Sequence, residues 1–310
     1  MAGVGFSVKG KNRSWAFGLW SFNLDRPDFG PKTKDQRPKA QGPRPKTQDP
    51  MPNTYEHIRL NINNRVARVT FARPSLNIFN IAMMKEIVGA LGECSAQDLI
   101  AIVFDADKDC RAFSAGVAVE EHMEQMVYQM LDSFHSIFRV LEQLAKPTIA
   151  LVDGAALGGG CEFVAACDIV VASERARFGL PEIKLGVFPP VAVIILPLVI
   201  GDKRARELIL TGEVIDAVEA GRLGLANHVV PSSHLEQKGA EVLAKLRELS
   251  STSLEFTRRA LDFGRARTLD DALKQIEDIY LHDLMKSADA SEGIKAFMEK
   301  RKPVWRNRSN

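Results

Sequence analysis

Strand-like and helix-like segments alternate from Tyr55 to about Leu196, which predicts an α/β fold. Three apolar runs carry this reading: 99–104 (LIAIVF), Thr148–Val152 (TIALV) and Ile169–Ala172 (IVVA) are strand-sized and read as buried strands. Beyond Leu196 the pattern becomes helical. At 310 residues and 45% apolar content, the chain can build a sizeable core.

Residues 1–50 hold six of the 15 prolines, with ten Lys/Arg against four Asp. Such a segment buries too little apolar surface to offset its chain entropy, so it is expected to be a disordered basic, Pro-rich extension. Phe6, Trp15, Phe17 and Trp20 form a weak apolar patch near its start. From Tyr55 the pattern changes. Ile58, Leu60 and Ile62 alternate, Asn63-Asn64 can turn the chain, and Ala67, Val69 and Phe71 alternate again, predicting a hairpin. Ile81, Met84, Val88 and Leu91 recur at helical spacing, as do Met126, Met130, Phe134, Ile137, Leu141 and Leu144 further on. After Thr148–Val152 comes a turn at Asp153-Gly154, then Gly158-Gly159-Gly160, a helix from Cys161 to Cys167, and Ile169–Ala172. Helical signals follow at 205–210, 217–223, 235–249, 254–263 and 269–284. The expected division is 1–50 extension, 51–250 core and 251–310 C-terminal helical region.

The glycine run is the chemical focus. Three glycines at a helix start let the backbone approach a ligand closely, and the free N–H groups there face whatever binds. That suits a phosphate or a developing oxyanion. The run is neither a Walker loop nor a dinucleotide fingerprint. Glu162 follows within one helical turn. A second stretch, Arg177-Phe178-Gly179-Leu180-Pro181-Glu182, places another carboxylate 20 residues later. A third, Ala112-Phe113-Ser114-Ala115-Gly116-Val117, lies upstream.

Together these stretches resemble the crotonase (enoyl-CoA hydratase/isomerase) superfamily, from about Tyr55 to Trp305. The resemblance implies ββα units wound as a spiral, a C-terminal helical trimerisation region, and trimers often paired as hexamers. It implies that Glu162 and Glu182 are the catalytic pair, with Glu162 orienting or deprotonating water and Glu182 exchanging the proton at carbon. Two carboxylates can share acid and base work when their environments separate their protonation states. The N–H groups of Gly159 and Ala115 match the oxyanion donors. Gly116, Val117, Ala118, Gly158, Phe188 and Pro189 are expected to contact the substrate.

Two departures are visible. Where the family usually has an Asp, two residues after Gly116, this chain has Ala118. Where straight-chain hydratases carry a Gly-rich loop after the second glutamate, it has Val187-Phe188-Pro189-Pro190-Val191-Ala192. Two prolines stiffen that segment and remove N–H donors. In this it looks like the cyclohexa-1,5-dienecarbonyl-CoA hydratases of anaerobic aromatic degradation. The expected reaction is hydration of a cyclic dienoyl-CoA thioester. The alternatives are a straight-chain 2-enoyl-CoA hydratase or isomerase and, from a different class, an RNA-binding member of the fold using the basic extension.

Composition bounds the rest. Net charge is +2, but the first 50 residues carry +6 and the remainder −4, so nucleic acid is not an expected partner of the core. Cys94, Cys110, Cys161 and Cys167 match no zinc or redox spacing and are expected to be free thiols. The six histidines show no metal spacing and are expected at the surface or in the core. No metal or redox cofactor is expected, CoA arriving as part of the substrate. No apolar run reaches the ~18 residues of a membrane span, and no signal peptide is visible, so a cytoplasmic protein is expected. Met51 lies where the family's sequences usually start. Lys300-Arg301-Lys302 reads as a solvated helix end, with contact to a CoA phosphate as the alternative.

Overall fold

The computed structural model describes residues 55–123, 125–263 and 269–307. The expected disorder of residues 1–50 lies outside them. These described residues fall in one compact unit.

The chain begins with the hairpin β1 (Ile58–Asn63) and β2 (Val66–Phe71), paired antiparallel. Its turn is Asn64-Arg65, one residue later than the alternation suggests, with both residues at positive φ. Helix α1 (Ile81–Ser95) starts where the Asn80 side chain accepts the Met83 N–H at 2.9 Å. Then come β3 (Ala101–Ala106), β4 (Ala112–Ser114), α2 (Val127–Leu144), β5 (Thr148–Val152), β6 (Ala155–Leu157), α3 (Gly159–Ala166), β7 (Ile169–Ser173) and β8 (Arg177–Gly179). The remainder is α4 (Ala192–Ile200), α5 (Asp202–Thr211), β9 (Val214–Asp216), α6 (Ala217–Leu223), β10 (His228–Val230), α7 (Leu235–Arg247), α8 (Ser251–Phe263), α9 (Leu269–Asp278) and α10 (Ala288–Met298).

Two sheets result. The larger runs β1-β2-β3-β5-β7-β10 and is parallel beyond the first hairpin. The smaller runs β4-β6-β8-β9, with β9 antiparallel. Each of the pairs β3/β4, β5/β6 and β7/β8 gives one strand to each sheet and advances both by one position. That is the spiral of ββα turns the resemblance implies.

The core explains why α3 sits still. Phe163, next to Glu162, is fully buried. Its ring meets Phe104 edge-on at 4.8 Å and Phe71 at 5.4 Å. Helix α8 is tied to the same region by charge. Lys146 Nζ meets Glu255 Oε2 at 2.8 Å, both buried, and Arg258 Nε meets Asp168 Oδ2 at 2.9 Å. Asp168 also accepts the Thr148 N–H at 2.8 Å, so one carboxylate links β5, the α3–β7 turn and α8.

Several elements differ from expectation. Helix α3 begins at Gly159, two residues before Cys161. The apolar stretch 187–200, in which no helix was expected, holds α4 with Pro197 inside it. The four strands of the smaller sheet have three residues each, too short to show a period. All four cysteines are free, and Cys94, Cys161 and Cys167 are buried. Among the described residues, no helix is long and apolar enough to cross a membrane.

Candidate active site

A cavity of about 340 Å³ lies where the start of α3 meets the loop after β4 and the segment after β8. Gly158, Gly159, Glu162 and Glu182 all line it, so the carboxylates 20 residues apart in sequence face one space.

The glycines are required by contact. Gly158 has φ +53°, and a side chain there would come within 2.8 Å of Glu182 Oε1. A Cβ on Gly160 would lie 2.5 Å from the Ser114 carbonyl oxygen. The loop after β4 and the glycine run therefore touch backbone to backbone. A Cβ on Gly116 would stand 3.0 Å from the Leu157 carbonyl oxygen and 3.5 Å from the Gly159 nitrogen.

Glu162 is 2% exposed. Its Oε1 accepts two backbone hydrogen bonds, from Val191 N–H at 2.7 Å and Ala192 N–H at 2.8 Å. Burial pushes its carboxyl up to about 7; the two N–H donors oppose that shift, and the charge of Glu182 adds to it. The donors directly follow Pro189-Pro190. The prolines, expected to deprive this segment of donors, instead precede the two that hold Glu162.

Glu182 sits on a short 3-10 turn, Pro181–Leu185, with proline at its first position. Burial raises its carboxyl as well. Its Oε2 is buried with no hydrogen-bond partner among the described residues. A buried carboxyl oxygen without a partner suits the neutral acid, whose O–H can be given to a ligand.

The backbone donors need one correction. The Ala115 N–H is given to the Leu76 carbonyl at 2.9 Å and is not free to hold an oxyanion. The Gly116 N–H is given to Ser114 Oγ at 3.1 Å. Val117, also on the cavity wall, is the next position, and its N–H has no acceptor among the described residues. Neither has the N–H of Gly159, the first residue of α3. A Cβ on Gly159 would meet Val117 Cγ2 at 2.8 Å, so these two residues are neighbours.

Of the other expected contacts, Ala115, Gly116, Val117, Gly158, Phe188 and Pro189 line the cavity. Ala118 does not. It is 8% exposed, and its N–H is given to the Phe79 carbonyl. Helix α2 supplies an apolar wall through Val127, Met130, Leu131 and Phe134. Its periodicity was legible, but not which side faces a ligand. His122, expected to be unremarkable, is also on the wall. Arg301 of the C-terminal basic cluster is paired with Glu292 at 2.6 Å and with Glu299.

Comparison with known proteins shows the family. The enoyl-CoA hydratase/isomerase family matches residues 61–308. A cyclohexa-1,5-dienecarbonyl-CoA hydratase of Thauera aromatica is 38% identical over 252 residues, covering 80% of this chain and 96% of that protein. A probable enoyl-CoA hydratase of Mycobacterium bovis is 34% identical over 258 residues, covering 82% and 99%. The crystal structure of an enoyl-CoA hydratase subunit from Geobacillus kaustophilus superposes with a TM-score of 0.76 at 32% identity, covering 82% of this chain and 99% of that one.

Proposed function

The chain belongs to the enoyl-CoA hydratase/isomerase family and is a hydro-lyase, and we propose that it adds water to cyclohexa-1,5-diene-1-carbonyl-CoA, giving 6-hydroxycyclohex-1-ene-1-carbonyl-CoA. The observation that carries this reading is the wall formed by Val187, Phe188, Pro189 and Pro190 beside Glu162. Two consecutive prolines fix the backbone, and a fixed apolar wall suits a rigid ring better than a flexible chain, because little ordering is needed on binding. The likeness to the Thauera protein supports the same substrate.

The chemistry follows from the product. Hydroxide adds to ring carbon C2, β to the thioester. The electrons pass to the thioester oxygen and spread as a dienolate over C1 and C5. Protonation at C5 leaves the double bond between C1 and C6, which is the named product once the ring is renumbered. Glu162, ionised, takes the proton from water. Glu182, neutral, gives its proton to C5. The N–H groups of Val117 and Gly159 hold the oxyanion, each worth roughly 10²–10³-fold in rate. Base, acid and electrophile are thus all protein groups, and this reading needs no metal or redox cofactor. The proposed assembly, which the resemblance implies, is a homotrimer or a dimer of trimers, and the proposed location is the cytoplasm.

The test is a kinetic comparison in D₂O. The expected kcat/KM for the cyclic dienoyl thioester exceeds that for crotonyl-CoA by about tenfold to hundredfold, the range of shape discrimination in apolar pockets. One solvent deuterium is expected on the carbon that was C5 of the diene, which is C3 of the renumbered product. Equal or better turnover of crotonyl-CoA would leave a straight-chain hydratase in its place.

A further inference from the structure

Once the glutamates are assigned, one polar side chain in the cavity remains without a task. His122 ends the 3-10 turn Val119–His122 and lines the cavity beside Val119, Val127, Met130 and Leu131. Its Nδ1 lies 2.9 Å from the Ala118 carbonyl oxygen. A carbonyl only accepts, so Nδ1 carries a proton, and in that tautomer of the imidazole Nε2 is the acceptor. His122 makes no other hydrogen bond among the described residues, and none to Glu162 or Glu182. It is therefore a second polar point in the site, separate from the reacting pair and with its tautomer set by the backbone.

We propose that His122 is a specificity residue whose Nε2 accepts a hydrogen bond from a hydroxyl on the acyl ring, other than the hydroxyl delivered at Glu162. Among cyclic acyl-CoA thioesters, of which the dienoyl ring is one, those carrying such a hydroxyl are then bound more tightly. This rests on the reading of the acyl group as a ring. The physical reason is the asymmetry of buried polar groups. A ring without a hydroxyl covers Nε2 and strips its water without replacing it, whereas a hydroxylated ring supplies the partner. Sites built to bond a substrate hydroxyl discriminate strongly against the analogue lacking it.

Binding of unreactive ligands tests this without depending on turnover. Calorimetry would compare cyclohexane-1-carbonyl-CoA with its 3-hydroxy and 4-hydroxy forms. Wild type is expected to bind at least one hydroxy form about tenfold or more tightly than the bare ring. His122→Leu is expected to erase that preference while binding the bare ring at least as well. His122→Gln, which keeps an acceptor, is expected to retain part of it. No preference in wild type, or an equal loss on all three ligands in His122→Leu, would overturn the proposal and leave His122 as a tie for the Ala118 carbonyl. A wild type that prefers crotonyl-CoA in turnover would remove the ring reading itself, a result independent of these affinities.

Discussion

Glu162 is held between opposing influences. Burial and the charge of Glu182 favour its proton, while two backbone N–H groups favour its anion, and the balance lies at about 7. In its proposed role as base it must be ionised, so kcat/KM is expected to fall about tenfold per pH unit below roughly 7. Glu182, in its proposed role as acid, must be protonated, which puts its limb on the alkaline side. The same shift bears on stability. The folded value lies above the ordinary 4.5, so the native state binds this proton more tightly than the unfolded chain does. The resulting cost is absent below about pH 4.5, grows up to 7 and is complete above it, at about 3 kcal/mol from ~1.4 kcal/mol per unit. Glu162→Gln removes the charge and keeps an acceptor for both N–H groups. It is expected to melt higher than wild type at pH 8, to match it near pH 4.5, and to lose several orders of magnitude in kcat. Glu182→Gln is expected to lose activity comparably, and the two losses are expected not to add, because both groups act on one transition state. Melting curves at the two pH values, with kinetics of the single and double variants, check all of this.

The segment joining β8 to α4 does two tasks at once. Its prolines form part of the cavity wall, and the residues just after them present the donors that grip Glu162. Replacing Pro189-Pro190 with Gly-Ala gives this segment more freedom in the unfolded and unliganded states. The grip on Glu162 loosens, and because those N–H groups lower its pKa, loosening raises it. The acid limb of kcat/KM is therefore expected to move to higher pH, and the preference for the cyclic thioester over crotonyl-CoA to narrow. A pH profile unchanged in the variant would show that the donors stay in place without the prolines.

Across the whole molecule, the C-terminal helices are fastened to the spiral through buried ions as well as apolar contact. Lys146, at the entrance to β5, and Glu255, on α8, are both buried and meet at 2.8 Å. Removing Lys146 takes its 2.8 Å cationic partner from the buried Glu255 carboxylate. Lys146→Ala is expected to cost about 3–5 kcal/mol in chemical denaturation. Replacing both, as Lys146→Met with Glu255→Leu, is expected to recover most of that loss. If the double variant is as unstable as the single one, the pair is needed for more than mutual neutralisation.

The long periodic elements were readable from residue order alone, because a helix such as α2 or a buried strand such as β5 repeats its apolar positions enough times to reveal a period. The two glutamates were singled out by a glycine run, a Pro-Glu turn and the resemblance these carry, and the fold brings both to one cavity. The smaller sheet was not, since three-residue strands hold no period and exist only because the spiral lays them side by side. Nor could residue order alone show that Ala115 spends its N–H on Leu76 while Val117 keeps its own free. It also could not show that the residues after Pro189-Pro190 close on Glu162, some 30 positions earlier, or that His122 turns toward the cavity. Each of these depends on which distant backbone or side-chain group occupies a neighbouring position. A hydrogen bond is decided by separations of a few tenths of an ångström, which only the folded chain establishes.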